Sequence, residues 1–438
     1  MRKVVITGLG AVTPVGNDVN TMWGNIVAGR HGIGPITKFD CTGFKASLAA
    51  EVKGFDPLDH MDRAEARRLD LYSQYAIVAA EQAVSDSGIS GAVEPERFMV
   101  SFGSGIGGII TFENEHEKYL SGGSRKVSPL FIPMMIGNLS AGNIAIRFGA
   151  KGPCIPVVTA CATGTDAVGQ AYRAIKHGYA DAAIAGGSEA AITPMGVAGF
   201  MNMTALSLST DPDAASLPFD IRRNGFVIGE GAGALVLEEY EHAIRRGANV
   251  YAQVVGYGST CDAHHITAPS PDGDSSARAI ADAYCESGSP GGTVYINAHG
   301  TGTPLNDVSE TKAIKAAFSG DTRGALRPTG QGSGVRGQET KERNSDLFSQ
   351  ERLCNVLVSS TKSMTGHMLG AAGAVEAVIT VLALTEGVLP PTVGLHEPDP
   401  ECDLDYIPLV ARSANVDLAM SVSLGFGGHN ACIAFSRE

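Results

Sequence analysis

The stretch VVTACATGTDAVGQAYRAIKHG, Val157 to Gly178, decides the architecture. It begins as a short β-branched run and turns through Ala160, Cys161 and Ala162. It then continues as a helical pattern over Asp166–His177, which Gly178 ends. Small residues occupy most faces of that pattern, so the helix it predicts lies buried between layers. A second stretch, SSTKSMTGHMLGAAGAVEAVITVLAL, Ser359 to Leu384, has the same character, with a small-residue helix after His367.

Working outward, short β-branched runs followed by glycine-rich turns occur at Lys3–Gly10, Phe98–Gly108, Val157–Gly164 and Phe226–Leu237. They return at Ala252–Gly258, Thr293–Gly302, Val356–Gly366 and Ser421–Ala434. Counted from Met99, Val157 and Phe226 the successive spacings are 58 and 69 positions, and counted from Val294, Leu357 and Val422 they are 63 and 65. Helical patterns lie between the runs, as at Asp70–Ser87 before Gly88 and Gly373–Glu386 before Gly387. Strands alternating with helices predict α/β sheets, and the repeated order predicts an internal duplication. Its halves are residues 1–249 and 250–438, divided near Asn249. One segment departs from this order: Ser319–Arg352 is glycine-rich, mixed in charge and without apolar period, and reads as a mobile surface insertion.

Composition narrows the function classes. Of 438 residues, 18% are charged, 44% are apolar and 55 are glycine, which excludes a disordered chain. The net charge of −13 removes any general electrostatic case for nucleic acid, though a local basic patch still suits an acidic partner. Eight cysteines without a C-x-x-C pair give neither a disulfide framework nor a structural zinc pattern, so a reducing, cytoplasmic setting is expected. Gly8, Gly10 and Pro14 interrupt the apolar start before a signal-peptide core develops. The longest helical apolar stretch, Ala371–Leu384, contains Glu376 and is too short to span a bilayer, so no membrane partner is expected.

Several motifs carry chemistry. Gly103–Gly108 fits G-x-G-x-x-G after a predicted strand, yet no acidic residue follows at the spacing a dinucleotide ribose needs. The pattern also recurs by chance at Gly332–Gly337. Cys161 is either a space-filling core thiol or a nucleophile. Its place at a helix N-terminus predicts a lowered pKa, with free N–H groups able to hold an oxyanion. His299 ends the apolar run of YINAHGTGTP, where open α/β sheets place their sites. His367 precedes a helix N-terminus, which disfavours imidazolium and leaves a neutral N–H donor; for either histidine the alternative is a structural role. In GFGGHN, Phe426 is the one bulky residue in a pliable turn, either a plain hairpin or a gate.

TACATGT, NAHGTGTP, SSTKSMTGH and GFGGHN, in this order, resemble the motifs of the β-ketoacyl-acyl-carrier-protein synthases, nearest to the type II elongating enzymes of fatty-acid synthesis. The resemblance implies a thiolase-like duplicated five-layer αβαβα fold and a homodimer. It also implies a decarboxylative Claisen condensation of an acyl group with malonyl-acyl carrier protein. Carried over by motif, Cys161 is the acylated nucleophile, His299 and His367 act on the malonyl thioester, and Lys362 and Glu376 are supporting charges. Phe426 gates the acyl tunnel, and its amide shares an oxyanion hole with that of Cys161. Thr301 and Thr303 bind the pantetheine arm, and Ile106 lines the acyl pocket. No metal or bound cofactor is implied; phosphopantetheine arrives on the carrier. Arg63, Arg67, Arg68, Arg125 and Lys126 form the candidate surface for the acidic carrier, with simple solvated charge as the alternative.

Other readings stay open at this level: a ketosynthase of a polyketide pathway, a non-catalytic chain-length-type subunit, a degradative thiolase, or an oxidoreductase resting on the glycine pattern. The thiolase reading needs a second cysteine near the C-terminus, and Cys432 falls just beyond the GFGGHN turn. The family's link between the His299 and Lys362 segments is short, whereas here it holds the Ser319–Arg352 insertion.

Overall fold

Two glycine pairs show how the sequence repeats its own packing. A Cβ on Gly8 or Gly10 would lie 2.1 and 1.9 Å from the carbonyl oxygens of Ala83 and Ala79. On Gly256 and Gly258 it would lie 2.0 Å from those of Ala283 and Ala279. In each half the first strand presses its backbone onto the backbone of a helix later in that half, which glycine opposite alanine permits. The computed structural model describes residues 1–319 and 355–438. Apart from Ser319, which closes a helix, the segment read as an insertion lies outside the described residues.

In the first half, strands β1 (Val4–Val12), β2 (Phe98–Gly103), β3 (Cys154–Val157), β4 (Ala182–Glu189) and β5 (Gly231–Glu239) lie in the order β1-β5-β4-β2-β3. In the second, β6 (Ala252–Cys261), β7 (Val294–Asn297), β8 (Val356–Ser359), β9 (Leu418–Gly425) and β10 (His429–Ser436) lie in the order β6-β10-β9-β7-β8. Both orders are first, fifth, fourth, second, third. The pairings match as well, since the first two contacts of each half are antiparallel and the last two parallel. The halves join through a short antiparallel seam pairing Val4 with Val254, Val5 with Gln253 and Ile6 with Ala252.

Helix α1 (Leu71–Ser87), started by the Asp70 side chain and stopped by Gly88 at φ +60°, covers the outer face of the first half. Helices α3 (Asp274–Glu286) and α4 (Pro304–Ser319) cover that of the second. Between the halves run α2 (Thr163–Lys176) and α5 (Ala372–Glu386), which pack on each other and on strands of both halves. Helix, sheet, helix pair, sheet, helix makes the expected five layers, with the main core wrapped around the central pair.

Some expectations need correction. The run Phe226–Leu237 becomes strand only from Gly231, whereas Ser421–Ala434 is two strands joined by the tight hairpin that GFGGHN suggests. Strand β4 had no sequence signal of its own. The apolar segment is also longer than Ala371–Leu384, for Leu369–Glu386 has the length and hydropathy of a membrane span. With 89% of that window buried inside the protein, it is the core helix of the middle layer.

Candidate active site

The chain leaves β3 at Val157 and reaches Ala160 in the left-handed region, at φ +50°. A side chain there costs about 1–3 kcal/mol, which the surrounding contacts must offset. A single 3₁₀ turn, Ala160–Ala162, leads into α2 and sets Cys161 at its mouth. The β9–β10 hairpin leans on this elbow from the other half. A Cβ on Gly425 would lie 2.6 Å from the Thr159 carbonyl oxygen and 3.3 Å from the Cys161 nitrogen. The next amide, that of Phe426, donates to the thiol sulfur. The expected lowering of the thiol pKa is not met. Burial pushes Cys161 up to about 12, against the pull of Lys362 and the Phe426 amide. The resting group is therefore a thiol, and its proton needs an acceptor.

That acceptor is in place. His367 Nε2 lies 3.0 Å from Cys161 Sγ. The His299 ring meets His367 edge-on, with centroids 5.2 Å apart, and Phe226 packs on His367 in the same way at 5.1 Å. Both histidines are held well below the ordinary imidazole range, by burial first and by the Lys362 charge second. The neutral state expected of His367 is met, but the cause is desolvation. Each keeps a buried Nδ1 without a hydrogen-bond partner among the described residues.

Lys362, 1% exposed, donates to Glu376 Oε1 at 2.5 Å beneath the histidines. Burial pushes Glu376 up to about 7, with Lys362 drawing it back. Neither lies at the surface, so the pair places a charge under the site at considerable desolvation cost. Two further acids escaped sequence reasoning. Glu310 on α4 accepts the His299 and Gly300 amides at 2.6 and 2.7 Å, fixing the turn that presents His299. Glu189, at the end of β4, accepts from Ser104 Oγ and from the amides of Gly105, Ile106 and Gly370. This carboxylate fills the glycine loop's amide nest, where a dinucleotide phosphate would have to sit, so the Gly103–Gly108 pattern is a packing motif. Glu310 carries a faint local signal, an acid six residues into the helix after Gly-Thr-Pro; Glu189 carries none.

Cys161, His299 and His367 line a cavity of about 710 Å³ with Phe200, Phe226, Phe426, Thr301 and Thr303. The two threonine hydroxyls lie 2.9 Å apart. Ile106 is not among the lining residues; it sits 41% exposed beyond the elbow. Arg63, Arg67, Arg68, Arg125 and Lys126 are all exposed and form no ion pair among the described residues. Among the described residues no cluster has the makings of a metal site, and all seven described cysteines are free.

Comparison with known proteins agrees with this arrangement. Residues 1–243 match the N-terminal domain model of the β-ketoacyl synthases, and residues 251–330 and 329–396 match their C-terminal domain model. A 3-oxoacyl-[acyl-carrier-protein] synthase 2 of Synechocystis is 47% identical, with 100% of this chain and 98% of the relative covered. One of Staphylococcus aureus strain COL is 46% identical over the same shares. Among solved structures, a β-ketoacyl synthase of Burkholderia phymatum has a TM-score of 0.86 at 33% identity, with both chains fully covered. The AntDE:AntF assembly, a type II PKS acyl-carrier protein in complex with its ketosynthase, gives 0.85 at 33%, covering 100% of this chain and 99% of that one. With a cysteine elbow faced by two neutral histidines and family models matched on both halves, the chain is a member of the β-ketoacyl synthase family.

Proposed function

We propose that the chain is a 3-oxoacyl-acyl-carrier-protein synthase of fatty-acid elongation, joining an acyl group held on Cys161 to malonyl-acyl carrier protein. The observation that carries this reading is the convergence on Cys161 Sγ of the Phe426 amide and His367 Nε2, at the inner end of an apolar cavity. The full-length relatives at 46–47% identity bear the name 3-oxoacyl-[acyl-carrier-protein] synthase 2, whereas the polyketide assembly matches at 33%.

The chemistry follows from the groups present. Cys161 sulfur attacks the acyl thioester, its proton passes to His367, and the carrier leaves as a thiol. The tetrahedral oxyanion is held by the Cys161 and Phe426 amides. Malonyl carrier then enters, its pantetheine arm against Thr301 and Thr303. The bond to its carboxylate breaks, CO₂ departs, and the negative charge that develops on the thioester oxygen is met by hydrogen bonds from the two uncharged imidazoles. Burial first, and then the charge of Lys362 beside Glu376, keeps those imidazoles unprotonated. The new carbanion attacks the acyl carbon, the carbon–sulfur bond to Cys161 breaks with its electron pair on sulfur, the thiolate regains a proton from solvent, and the product leaves on the second carrier as a β-ketoacyl thioester. No resident cofactor or metal takes part in this scheme.

The five unpaired cations are the carrier-docking surface of this reading. Edge strand β3, with Cys154, Ile155 and Pro156 exposed, is the seam of the proposed homodimer, and Ile106 completes the acyl pocket there. A cytoplasmic location fits the free thiols. Intact-mass measurement after incubation with an acyl-carrier thioester tests the reading: one acyl group on Cys161, lost on adding malonyl carrier with CO₂ released, is expected. A protein that takes no acyl group overturns it.

A further inference from the structure

Behind the elbow lies a buried network that the reaction scheme does not use. Asp166, in the first turns of α2 and 5% exposed, accepts from Thr159 Oγ1 at 2.6 Å and from the Tyr257 hydroxyl at 2.5 Å. Thr159 immediately precedes the strained Ala160, and its own amide donates to Thr163 Oγ1 at 2.9 Å. Tyr257 comes from β6, in the opposite half. Its ring lies flat against α2 because residue 169 is glycine: a Cβ there would stand 2.3 Å from the ring. The Arg173 guanidinium covers the ring at 4.5 Å from its centroid, and the Tyr257 amide donates to Glu286 Oε2 at 2.9 Å. The phenol is thus held against α2 by Gly169 and Arg173 and along its backbone by Glu286, and burial keeps its proton in place as a donor.

We infer that Asp166, held by Tyr257, is a positioning residue for Cys161, fastening Thr159 so that the elbow keeps its sulfur between the Phe426 amide and His367. The physical need is specific. A left-handed alanine relaxes unless its neighbours are fixed, and a displacement of about 1 Å in a reacting group costs about a hundredfold in rate. Thr159, the residue ahead of the strain, is tied on one side only to its own helix. Asp166 ties it across to the second half of the molecule. The inference rests on Cys161 being the acylated residue.

The test compares Asp166→Ala, Asp166→Asn and Tyr257→Phe with the full-length parent. Acylation of Cys161 from an acyl-carrier thioester and its alkylation by iodoacetamide are followed by intact mass, and decarboxylation of malonyl carrier is measured separately. Asp166→Ala is expected to slow both acylation and alkylation by about tenfold or more, with the apparent KM for acyl carrier unchanged. Asp166→Asn should stay within about threefold, since its amide still joins both hydroxyls. Tyr257→Phe should fall between them, and decarboxylation should change by less than about twofold in all three. Unchanged Cys161 reactivity in Asp166→Ala overturns the inference, as does an equal loss of acylation and decarboxylation, which would mean general damage. If Asp166→Ala does not fold, Tyr257→Phe decides by the same criteria. A parent that alkylates but takes no acyl group sinks the functional reading instead, and the alkylation rates still judge Asp166.

Discussion

The turn at Ala160–Ala162 and the turn at Leu369–Ala371 hold equivalent places in the two halves. Both open on a residue other than glycine in the left-handed region, at φ +50° and +48°, make one 3₁₀ turn and enter a central helix. The first presents Cys161, and the second has Gly370 at that place. Gly370 donates its amide to Glu189, and a Cβ there would lie 2.4 Å from the Gly105 nitrogen. The approaches differ too. Two residues separate β3 from Ala160, whereas nine separate β8 from Leu369, and those nine include Lys362 and His367. Duplication supplied two elbows. One carries the nucleophile, while the other has glycine at that place and a longer approach that delivers the groups acting on it.

The sharpest way to break this comparison is Cys161→Ala. It should abolish acylation and lower condensation by at least about 10⁴-fold, as removal of a covalent nucleophile does. Persistent acyl labelling would show that the first elbow is not the reactive one. Next come the histidines of the second half. His367→Ala and His299→Ala should lower condensation by about 10²–10⁴-fold through loss of decarboxylation, while acylation of the His367 variant, slowed by loss of the thiol's proton acceptor, stays measurable. Unimpaired CO₂ release in both would detach the second half from the chemistry.

A pH series sharpens the first elbow. With the thiol raised to about 12, thiolate at Cys161 grows about tenfold per unit from pH 7 to 10. Iodoacetamide alkylation should climb over that whole range, and a plateau near 8.5 would mean that the burial effect is overcome. Lys362→Met removes the charge that favours thiolate, so its alkylation should be slower at every pH. The second elbow is probed by Gly370→Ala, whose methyl has no room. It should lower stability by about 1–3 kcal/mol, read as a drop in Tm. An unchanged Tm would refute the close approach. The smallest effect lies far from either turn: reversing Arg67 and Lys126 together should raise the KM for carrier substrates severalfold and leave pantetheine thioesters unaffected.

The parts of this plan that were legible in the sequence share a cause. Cys161, His299, His367 and Phe426 each sit where a strand meets small residues, so the local pattern marks both the bend and the group exposed by it. Helix α1 was readable end to end because Asp70 and Gly88 do their capping locally. Strand β4 was not, since AAIAGGSE holds a single β-branched residue, Ile184, among alanines and glycines. Its small residues are required by neighbours far away: a Cβ on Gly187 would meet the Gly370 carbonyl oxygen at 2.3 Å. Glu189 and the Asp166–Tyr257 pair were silent, and Glu310 nearly so, for the same reason, because each acts through a partner brought close only by the fold. The thiol pKa was misread because a helix N-terminus is visible in sequence and the depth of burial is not.

The strand order has a consequence for synthesis. In each half the first strand pairs with the fifth, so β1 waits for Gly231–Glu239 and β6 for His429–Ser436. Pairings of such long sequence separation form slowly. A growing chain has every strand of its first sheet after about 240 residues, but the hairpin bearing Phe426 is among the last segments made. Cys161 is thus translated long before either histidine, and stays without its proton acceptor until the second sheet closes. A ribosome-stalled chain with residues 1–245 outside the exit tunnel is expected to take no acyl group: the catalyst is switched on by the completion of its own folding.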